Sequence, residues 1–572
     1  MKQNFFSEIT GLIKNNKPNK KQLAIEKIRL CKKHHLKKIP TDIEIMLNAD
    51  VKGIPKIRKF LLTKPTRTIS GVAVCAIMTR PFPCPHVKKG IGPCSYCPGG
   101  PKSVFGSVPQ SYTGKEPATR RAIRNKYNAY LQVMNRLEQY VVLGHVPDKL
   151  ELIIMGVTFP SFPKNYQEDF IKDAMQAMND FSSLFIKNSN LNLIKFKEFF
   201  QLPGDITDKK RTKSVQKRLL KIKSSRKTTL EKEQIKNEKA AIRCVGLTIE
   251  TRPDYGKLEQ GNEMLRLGCT RVELGIQTIY DEVLEKIRRG HSVKDSVDST
   301  RILKDLGFKI NYHVMPGLPG VAKEQDINAL KTLFQDENFK PDMLKIYPCM
   351  VMEGTKLFEE WKKGKFKPLT TKEAAELIAE FKKYVPEYCR IMRVQRDIPT
   401  YVTSSGVDRT NLRQYVGQLC KEKGIKCRCI RCREAGLNTR KISLNNIKIK
   451  TTEYKSSKGK EFFISAEDEK NDILFGYCKL RFPSQSLRKE ITKESALVRE
   501  LHIYSPSVAL GEKSESSYQH RGFGKMLLKK AEETAKQNKR KKILVLSGIG
   551  AKEYYSKLGY KKEGHYMSKM LD

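Results

Sequence analysis

Cys84-Pro-His-Val-Lys-Lys-Gly-Ile-Gly-Pro-Cys94-Ser-Tyr-Cys97-Pro-Gly-Gly is the stretch around which the chain is organised. Its three cysteines stand as C-x9-C-x2-C among prolines and glycines, which are expected to keep the segment out of helix or strand. Three thiolates are one short of the four that closed zinc sites and common iron–sulfur clusters use. A four-iron cluster held by three cysteines leaves one iron free to take a substrate. A zinc site completed by a distant ligand, or cysteines with no ligand role, fits the spacing equally well.

The neighbouring residues decide between these readings. Cys84-Pro-His86, Cys94-Ser-Tyr-Cys97-Pro-Gly-Gly-Pro101 and Gln110-Ser-Tyr-Thr-Gly-Lys-Glu-Pro117 together resemble the catalytic subunit of Elongator, a radical-SAM/acetyltransferase family that modifies transfer RNA. Later blocks extend the resemblance from about Lys64 to the C-terminus, and Ile276–Tyr280 with Ile287–His291 look closest to its archaeal branch. The resemblance implies a 4Fe-4S cluster on Cys84, Cys94 and Cys97 whose open iron chelates S-adenosyl-L-methionine. Other Elongator subunits are implied as partners only where the host has them, since the archaeal branch acts without them.

Composition bounds the rest. The 572 residues suffice for about three or four domains. Lys plus Arg total 110 against 62 acids, a formal charge of +48 with a pI near 9.7. Such an excess suits a polyanion, nucleic acid or an anionic membrane surface, although a generally lysine-rich proteome has the same effect. No apolar run approaches the ~20 residues of a membrane span, and Met1–Glu8 has no apolar signal core. Fourteen cysteines then read as thiols and metal ligands in a reducing compartment. The expectation is a cytoplasmic protein with no membrane attachment.

The fold class read from the pattern is α/β, with a partial (β/α)6 barrel before a second α/β domain. Residues 1–65 form a basic helical region, with helices over Phe5–Lys14, Lys20–His34 and Thr41–Asn48. Its patch Lys32–Lys38 is either a solvated helix end or an RNA contact, and the resemblance favours the latter. Across 66–365, apolar strands alternate with amphipathic helices: Ser70–Met78, Leu150–Met155, Arg243–Ile249, Arg271–Gly275, Lys309–His313 and Met343–Tyr347. An insertion at about 190–240 interrupts them. Ten of the nineteen residues from Lys209 to Lys227 are Lys or Arg and none is acidic, which reads as a flexible arm brushing RNA or a solubilising linker. Residues 366–440 make a linker with zinc-knuckle-like cysteines, and 441–572 the second domain, a GNAT-like acetyltransferase by the resemblance.

Candidate site residues lie at strand ends and in two further motifs. Gly156 lets backbone approach the methionine end of S-adenosylmethionine, while Val157 stands where the family has a second glycine. Glu250, Gln277 and His313 end three strands and point to one mouth, though each is more often structural than catalytic. Cys427-Arg-Cys429-Ile-Arg-Cys432 reads as a zinc knuckle with a fourth ligand from Cys420, a histidine or water, or else as unligated thiols. Arg428, Arg431 and Arg433 make the same loop a candidate RNA contact. Arg396–Thr400 and Gly406–Arg413 are similar to RNA-facing segments of the family.

Gln519-His-Arg-Gly522-Phe523-Gly524 fits the Q-x-x-G-x-G/A turn of GNAT acyltransferases, whose backbone N–H groups and following helix cradle the coenzyme A pyrophosphate. A strand, Ala496–Tyr504, precedes it, and Tyr554–Tyr560 resembles the superfamily's terminal signature. The resemblance implies acetyl-CoA contacts at Glu500, Leu501, His502, Ile503, Phe523, Gly524, Lys525 and Tyr555. Lys149, by itself a surface lysine, matches a family acetyl-CoA contact near the barrel mouth; it and Tyr555 are the catalytic candidates.

By this resemblance, adenosylmethionine is cleaved reductively to a 5′-deoxyadenosyl radical, which takes hydrogen from the methyl of acetyl-CoA. The new radical adds to carbon 5 of the wobble uridine, and thioester hydrolysis leaves 5-carboxymethyluridine. A protein lysine acetyltransferase with a structural cluster is the alternative, and a non-catalytic RNA scaffold a third.

Overall fold

The computed structural model describes residues 2–50, 53–64, 68, 70–156, 158–205, 208–437, 446–504 and 522–571. Val157 and the Gln519–Arg521 half of the pyrophosphate turn lie outside them.

The N-terminal region folds as α1 (Lys2–Asn16), α2 (Lys20–Lys33), α3 (Asp42–Asn48) and α4 (Ile54–Leu61). Phe5, Ile9 and Ile13 recur every four residues and meet Leu23, Leu30, Ile45 and Ile57 in a core of their own. Thr41 and Glu44 close a capping box at the start of α3, as the sequence signals. Helix α4, which no sequence signal announced beyond Pro55 in its first turn, completes that core. Part of the Lys32–Lys38 patch is consumed internally, since Lys33 and His34 both pair with Glu8.

The central sheet carries seven parallel strands in chain order: β1 (Ala73–Met78), β2 (Lys149–Met155), β3 (Arg243–Thr251), β4 (Arg271–Gln277), β5 (Lys309–Val314), β6 (Met343–Ile346) and β7 (Arg390–Arg393). The partial barrel is the expected one, extended by a strand. β7 escapes a search for apolar runs because its four residues Arg-Ile-Met-Arg begin and end in charge. Alternation sets the faces: on β2, Leu150, Leu152 and Ile154 are buried beneath the helices, while Glu151, Ile153 and Met155 line the lumen.

Three helices matter below: α5 (Pro117–Arg124), α6 (Leu193–Phe200) and α7 (Lys209–Ser224). The basic tract 209–227 is not a loose arm. Asp208 caps α7 by accepting from the Lys210 and Arg211 N–H groups, Val215 and Leu219 are buried, and Arg211 and Lys223 pair with Glu138 and Asp173. Apolar residues at i and i+4 give the tract a seat that its charge count conceals.

The second sheet has the order β8–β9–β10–β11–β12–β14–β13, from β8 (Ile447–Ser456), β9 (Gly459–Asp468), β10 (Ile473–Phe482), β11 (Ser495–Ile503), β12 (Lys542–Val545), β13 (Lys561–Glu563) and β14 (Tyr566–Met570). Helix α8 (Phe523–Gln537) packs on it through Leu527, Leu528, Ala531 and Ala535. This domain docks on the N-terminal ends of the barrel strands. Arg499 donates to the Phe308 carbonyl at 2.7 Å and Tyr566 to that of Leu306 at 2.9 Å, both just before β5. A Cβ at Gly548 or Gly550 would strike Val245 or Arg243 on β3.

A buried ionic network joins the two domains. Asp342, just before β6, accepts from Lys479 at 3.0 Å and from both Arg499 guanidinium nitrogens at 2.7 and 2.8 Å. Asp305 accepts from Arg481, which with Arg499 also reaches Glu461. No helix among the described residues is long and apolar enough to cross a membrane.

Candidate functional site

Strand β1 delivers the cysteine loop to the C-terminal end of the barrel, where active sites of parallel barrels form. Cys84, Cys94 and Cys97 are all buried there, and their thiols line a cavity of about 300 Å³. Backbone bonds pin the loop: the Ser95 N–H donates to the Ile287 carbonyl, and the Leu357 N–H to that of Ser95.

His86 stands between two of the thiols, its Nδ1 3.1 Å from Cys84 Sγ and its Nε2 3.6 Å from Cys94 Sγ. The Arg252 guanidinium donates to Nδ1 at 2.6 Å, which puts the imidazole proton on Nε2. Burial, then Arg252 and Arg289, drives the His86 pKa down to about 3, so the ring is neutral. A Cβ at Gly92 would run into this ring, which is why the loop carries glycine there.

Gln110 Nε2 and the Ser111 N–H each donate to Cys97 Sγ at 3.2 Å, and Arg289 reaches Cys94 Sγ at 3.6 Å. These donors suit thiolates. Burial pushes the Cys84 thiol up to about 11 and raises that of Cys97, so binding of a metal releases protons. Among the described residues, the sets of three metal-ligating groups within 4.8 Å of one another are Cys427/Cys429/Cys432 and Glu250/Glu273/His313. The Cys84–Cys94–Cys97 thiols are set wider, as ligands to three corners of a four-iron cube must be. The residues present fit such a cluster.

The cavity brings Glu250, Gln277 and His313 together as the strand ends implied. It adds residues that the strand-end rule missed. Glu273 accepts from Asn311 at 3.0 Å and His313 at 2.8 Å, and Lys345 pairs with it. Burial opposes both charges, but their mutual attraction holds Glu273 well below and Lys345 above its usual range. Tyr112 donates to Glu250 at 3.2 Å, and Arg396 donates to the Ser111 carbonyl, which brings the Arg396–Ile398 segment to the rim. A charge inside an apolar strand (Glu in Arg-Val-Glu-Leu-Gly, Lys in Met-Leu-Lys-Ile) was the available signal.

Gly156 has φ +114°, and a Cβ there would overlap Thr79 Oγ1. Its glycine is therefore required by the neighbouring strand end.

At the opposite end of the barrel, Arg271 pairs with Glu151 at 2.6 Å across the lumen floor. Below them stand Lys309 and Glu500, 3.9 Å apart. Lys149, which opens β2, lies at this end and not at the cysteine mouth; its charge reaches His502, whose pKa burial lowers to about 4. Three polar atoms here are buried without a hydrogen bond: Arg271 Nε, Glu500 Oε2 and His502 Nε2.

Strand β11 pairs with β12 only over Ser495–Val498, while β10 holds its other side through Ile503. Among the described residues, no strand pairs with the β12-facing backbone edge of Glu500, Leu501, His502 and Ile503, the residues the acetyl-CoA reading singles out. Gly522, with φ +83°, caps α8, and Phe523, Gly524 and exposed Lys525 form its first turn. A Cβ at Gly524 would stand 2.7 Å from the Tyr554 hydroxyl, so that neighbour, absent from the sequence-derived set, borders the turn. Tyr555 is buried between Tyr554 and Tyr560, and burial raises its pKa. The edge and the helix start fit coenzyme A.

Cys427, Cys429 and Cys432 converge within reach of one ion. Lys382 donates to Cys432 at 3.5 Å, and hydrogen bonds from Cys427 and Cys432 hold Cys429 well below its usual pKa. Cys420 stays outside the group. Arg433 is not an RNA contact: it is buried and paired with Glu467, an inward turn that a basic tripeptide does not reveal.

The chain matches the radical SAM superfamily over residues 92–333 and its C-terminal domain over 341–422. It also matches the ELP3 N-terminal domain over 3–69 and the GNAT acetyltransferase domain over 515–569. It is 46% identical over 538 residues to the tRNA uridine(34) acetyltransferase of Methanocaldococcus infernus, covering 93% of this chain and 92% of that one. It is 39% identical to the Elongator complex protein 3 of Schizosaccharomyces pombe, over 98% and 97% of the two chains. The solved structure of the archaeal Methanocaldococcus infernus Elp3 with an N-terminal deletion superposes with a TM-score of 0.70 at 41% identity, covering 88% of this chain and 100% of that one.

Proposed function

Because the chain belongs to the Elp3 family of tRNA uridine acetyltransferases and Elongator complex protein 3, we propose that it converts the wobble uridine of transfer RNA to 5-carboxymethyluridine, using acetyl-CoA and S-adenosylmethionine. The observation that carries this reading is the disposition of two compartments on one barrel. The cysteine cavity occupies the C-terminal strand ends, and the Glu500–Ile503 edge abuts the N-terminal ends.

Cys84, Cys94 and Cys97 would hold a 4Fe-4S cluster, which would supply one-electron reduction of S-adenosylmethionine. The chain's own residues do the rest. Gln110, Ser111 and Arg289 direct N–H groups at the thiolates, and the neutral His86 keeps Cys84 and Cys94 apart. Glu250, Glu273, His313 and Lys345 offer fixed donors and acceptors to a nucleoside at the mouth of the barrel. The Glu500–Ile503 edge and the α8 N-terminus bind the thioester cofactor, with Lys149 and Tyr555 at the thioester. Cys427, Cys429 and Cys432 would hold a zinc ion, which would clamp the linker.

The test is mass spectrometry of nucleosides from transfer RNA incubated with anaerobically reconstituted protein, acetyl-CoA, S-adenosylmethionine and a reductant. Carboxymethyluridine that disappears in a Cys94→Ala protein supports the reading. Acetyl-CoA hydrolysis without uridine modification in both proteins refutes it.

A further inference from the structure

Helix α7 sorts its charges. Arg211 and Lys223 turn inward to Glu138 and Asp173 beside the buried Val215 and Leu219. Lys209, Lys213, Lys217 and Lys221, one every four residues, are all exposed on the other side, and no carboxylate among the described residues pairs with them. Steps of four residues are about 6 Å, so the ladder extends for about 18 Å. Like charges in that register repel and weaken a helix. Here, no acid of α7 itself relieves them.

The ladder is also continuous with the cavity. Gln216 of α7 donates to the Arg124 carbonyl at 3.0 Å and to Asn125 Oδ1 at 3.2 Å, at the end of α5. Helix α5 begins at Pro117, which with Glu116 lines the cavity, and Arg120 and Lys126 are exposed along the way. On its other flank, α7 is tied to α6 through Arg211 and the Phe200 carbonyl, and α6 to the N-terminal domain through Lys197 and the Leu47 carbonyl.

We propose that this lysine ladder holds the phosphate backbone of the transfer RNA whose wobble uridine enters the cavity. The assignment rests on the uridine reading above and adds a docking surface to it. Lysines are point charges that grip a phosphate backbone without reading bases. An anionic membrane is the poorer fit, because an interfacial helix must bury its apolar face in lipid. The apolar residues Val215 and Leu219 are already covered by protein, and a lone exposed Leu220 beside the lysines is too little to seat the helix in lipid.

The experiment compares wild type, a K209Q/K213Q/K217Q/K221Q variant and the corresponding fourfold Lys→Arg variant. All are full-length and reconstituted, with iron content as the folding control. Filter binding of transfer RNA across a salt series gives the slope of log K against log salt. Loss of four phosphate contacts lowers that slope by about 3 to 4 and weakens binding at least ~10-fold near 0.1 M salt. The Arg variant retains both. Wild-type binding with an unchanged slope in the Gln variant overturns the ladder alone. Failure of the wild type to bind transfer RNA overturns the uridine reading with it. Loss of binding to phosphatidylserine vesicles, with transfer-RNA binding intact, overturns the choice of RNA.

Discussion

Asp342→Asn should unfasten the acetyltransferase domain from the barrel at measurable cost. The carboxylate accepts four bonds: Arg499 Nη2 at 2.7 Å and Lys479 at 3.0 Å on Oδ1, and Arg499 Nη1 and the Ile310 N–H, each at 2.8 Å, on Oδ2. Asparagine keeps the shape, but its NH2 must face donors in either orientation. Asp342, Asp305 and Glu461 are set against Arg499, Arg481, Lys479 and Lys304. Removing one acid leaves two to hold four basic groups. Breaking one partner of a buried pair costs about 3–5 kcal/mol. At a urea m-value of about 3 kcal/mol/M the midpoint falls by about 1 to 1.7 M. Trp361 is the chain's single tryptophan and lies in the barrel domain, so its fluorescence reports that half while circular dichroism reports both. Both probes should shift together. A change under ~1 kcal/mol would refute the account of the network as a mutually dependent set of buried charges.

Lys304→Met tests the same network through pH. Burial pushes the folded Lys304 pKa down to about 7 from an ordinary 10.5, so between those values the unfolded chain holds a proton that the folded one lacks. Wild-type stability should therefore rise with pH across that window relative to the variant, and parallel urea midpoints at pH 7 and 9.5 would contradict it. Gly92→Ala drives a Cβ into the His86 ring between Cys84 and Cys94, and iron and sulfide per chain after reconstitution should fall well below the wild-type content. Tyr555→Phe removes only a hydroxyl; a thioester role calls for at least ~10-fold slower acetyl-CoA hydrolysis at unchanged Tm, whereas an unchanged rate assigns this buried ring to packing.

Local chemistry was legible in the sequence wherever it was contiguous. The cysteine loop, the Thr41–Glu44 cap and the Gly522–Lys525 helix start are each spelled within a few residues. So was the alternation that gave six of seven barrel strands. What escaped depends on partners distant in the chain. Gly156 reads as room for a ligand, and the structure adds a second demand for glycine there, since Thr79, just past the adjacent strand, needs the space. Arg433 reads as a free cation until Glu467 closes on it. The 209–227 tract reads as disorder because charge density outweighs the two apolar residues that seat it. Lys149 was placed at the wrong end of the barrel because a lysine beside a strand does not say which end the second domain covers.

That last point bears on how the two cofactor sites can serve one reaction. In a parallel barrel the C-terminal strand ends carry chemistry and the opposite ends carry stability. Here the opposite end does both: the Asp342 network fastens it, and the Glu500–Ile503 edge sits among the same strand starts. Glu151, Arg271, Glu273 and Lys345 then occupy the lumen between the two sites, where an ordinary barrel packs branched apolar side chains. Burying those charges is costly unless they are paired, and at Arg271 and Glu500 the pairing leaves polar atoms without hydrogen bonds. The charged residues inside apolar strands follow from that placement: Arg271 pairs with Glu151 and Lys345 with Glu273 inside the lumen, and the sheet accommodates them.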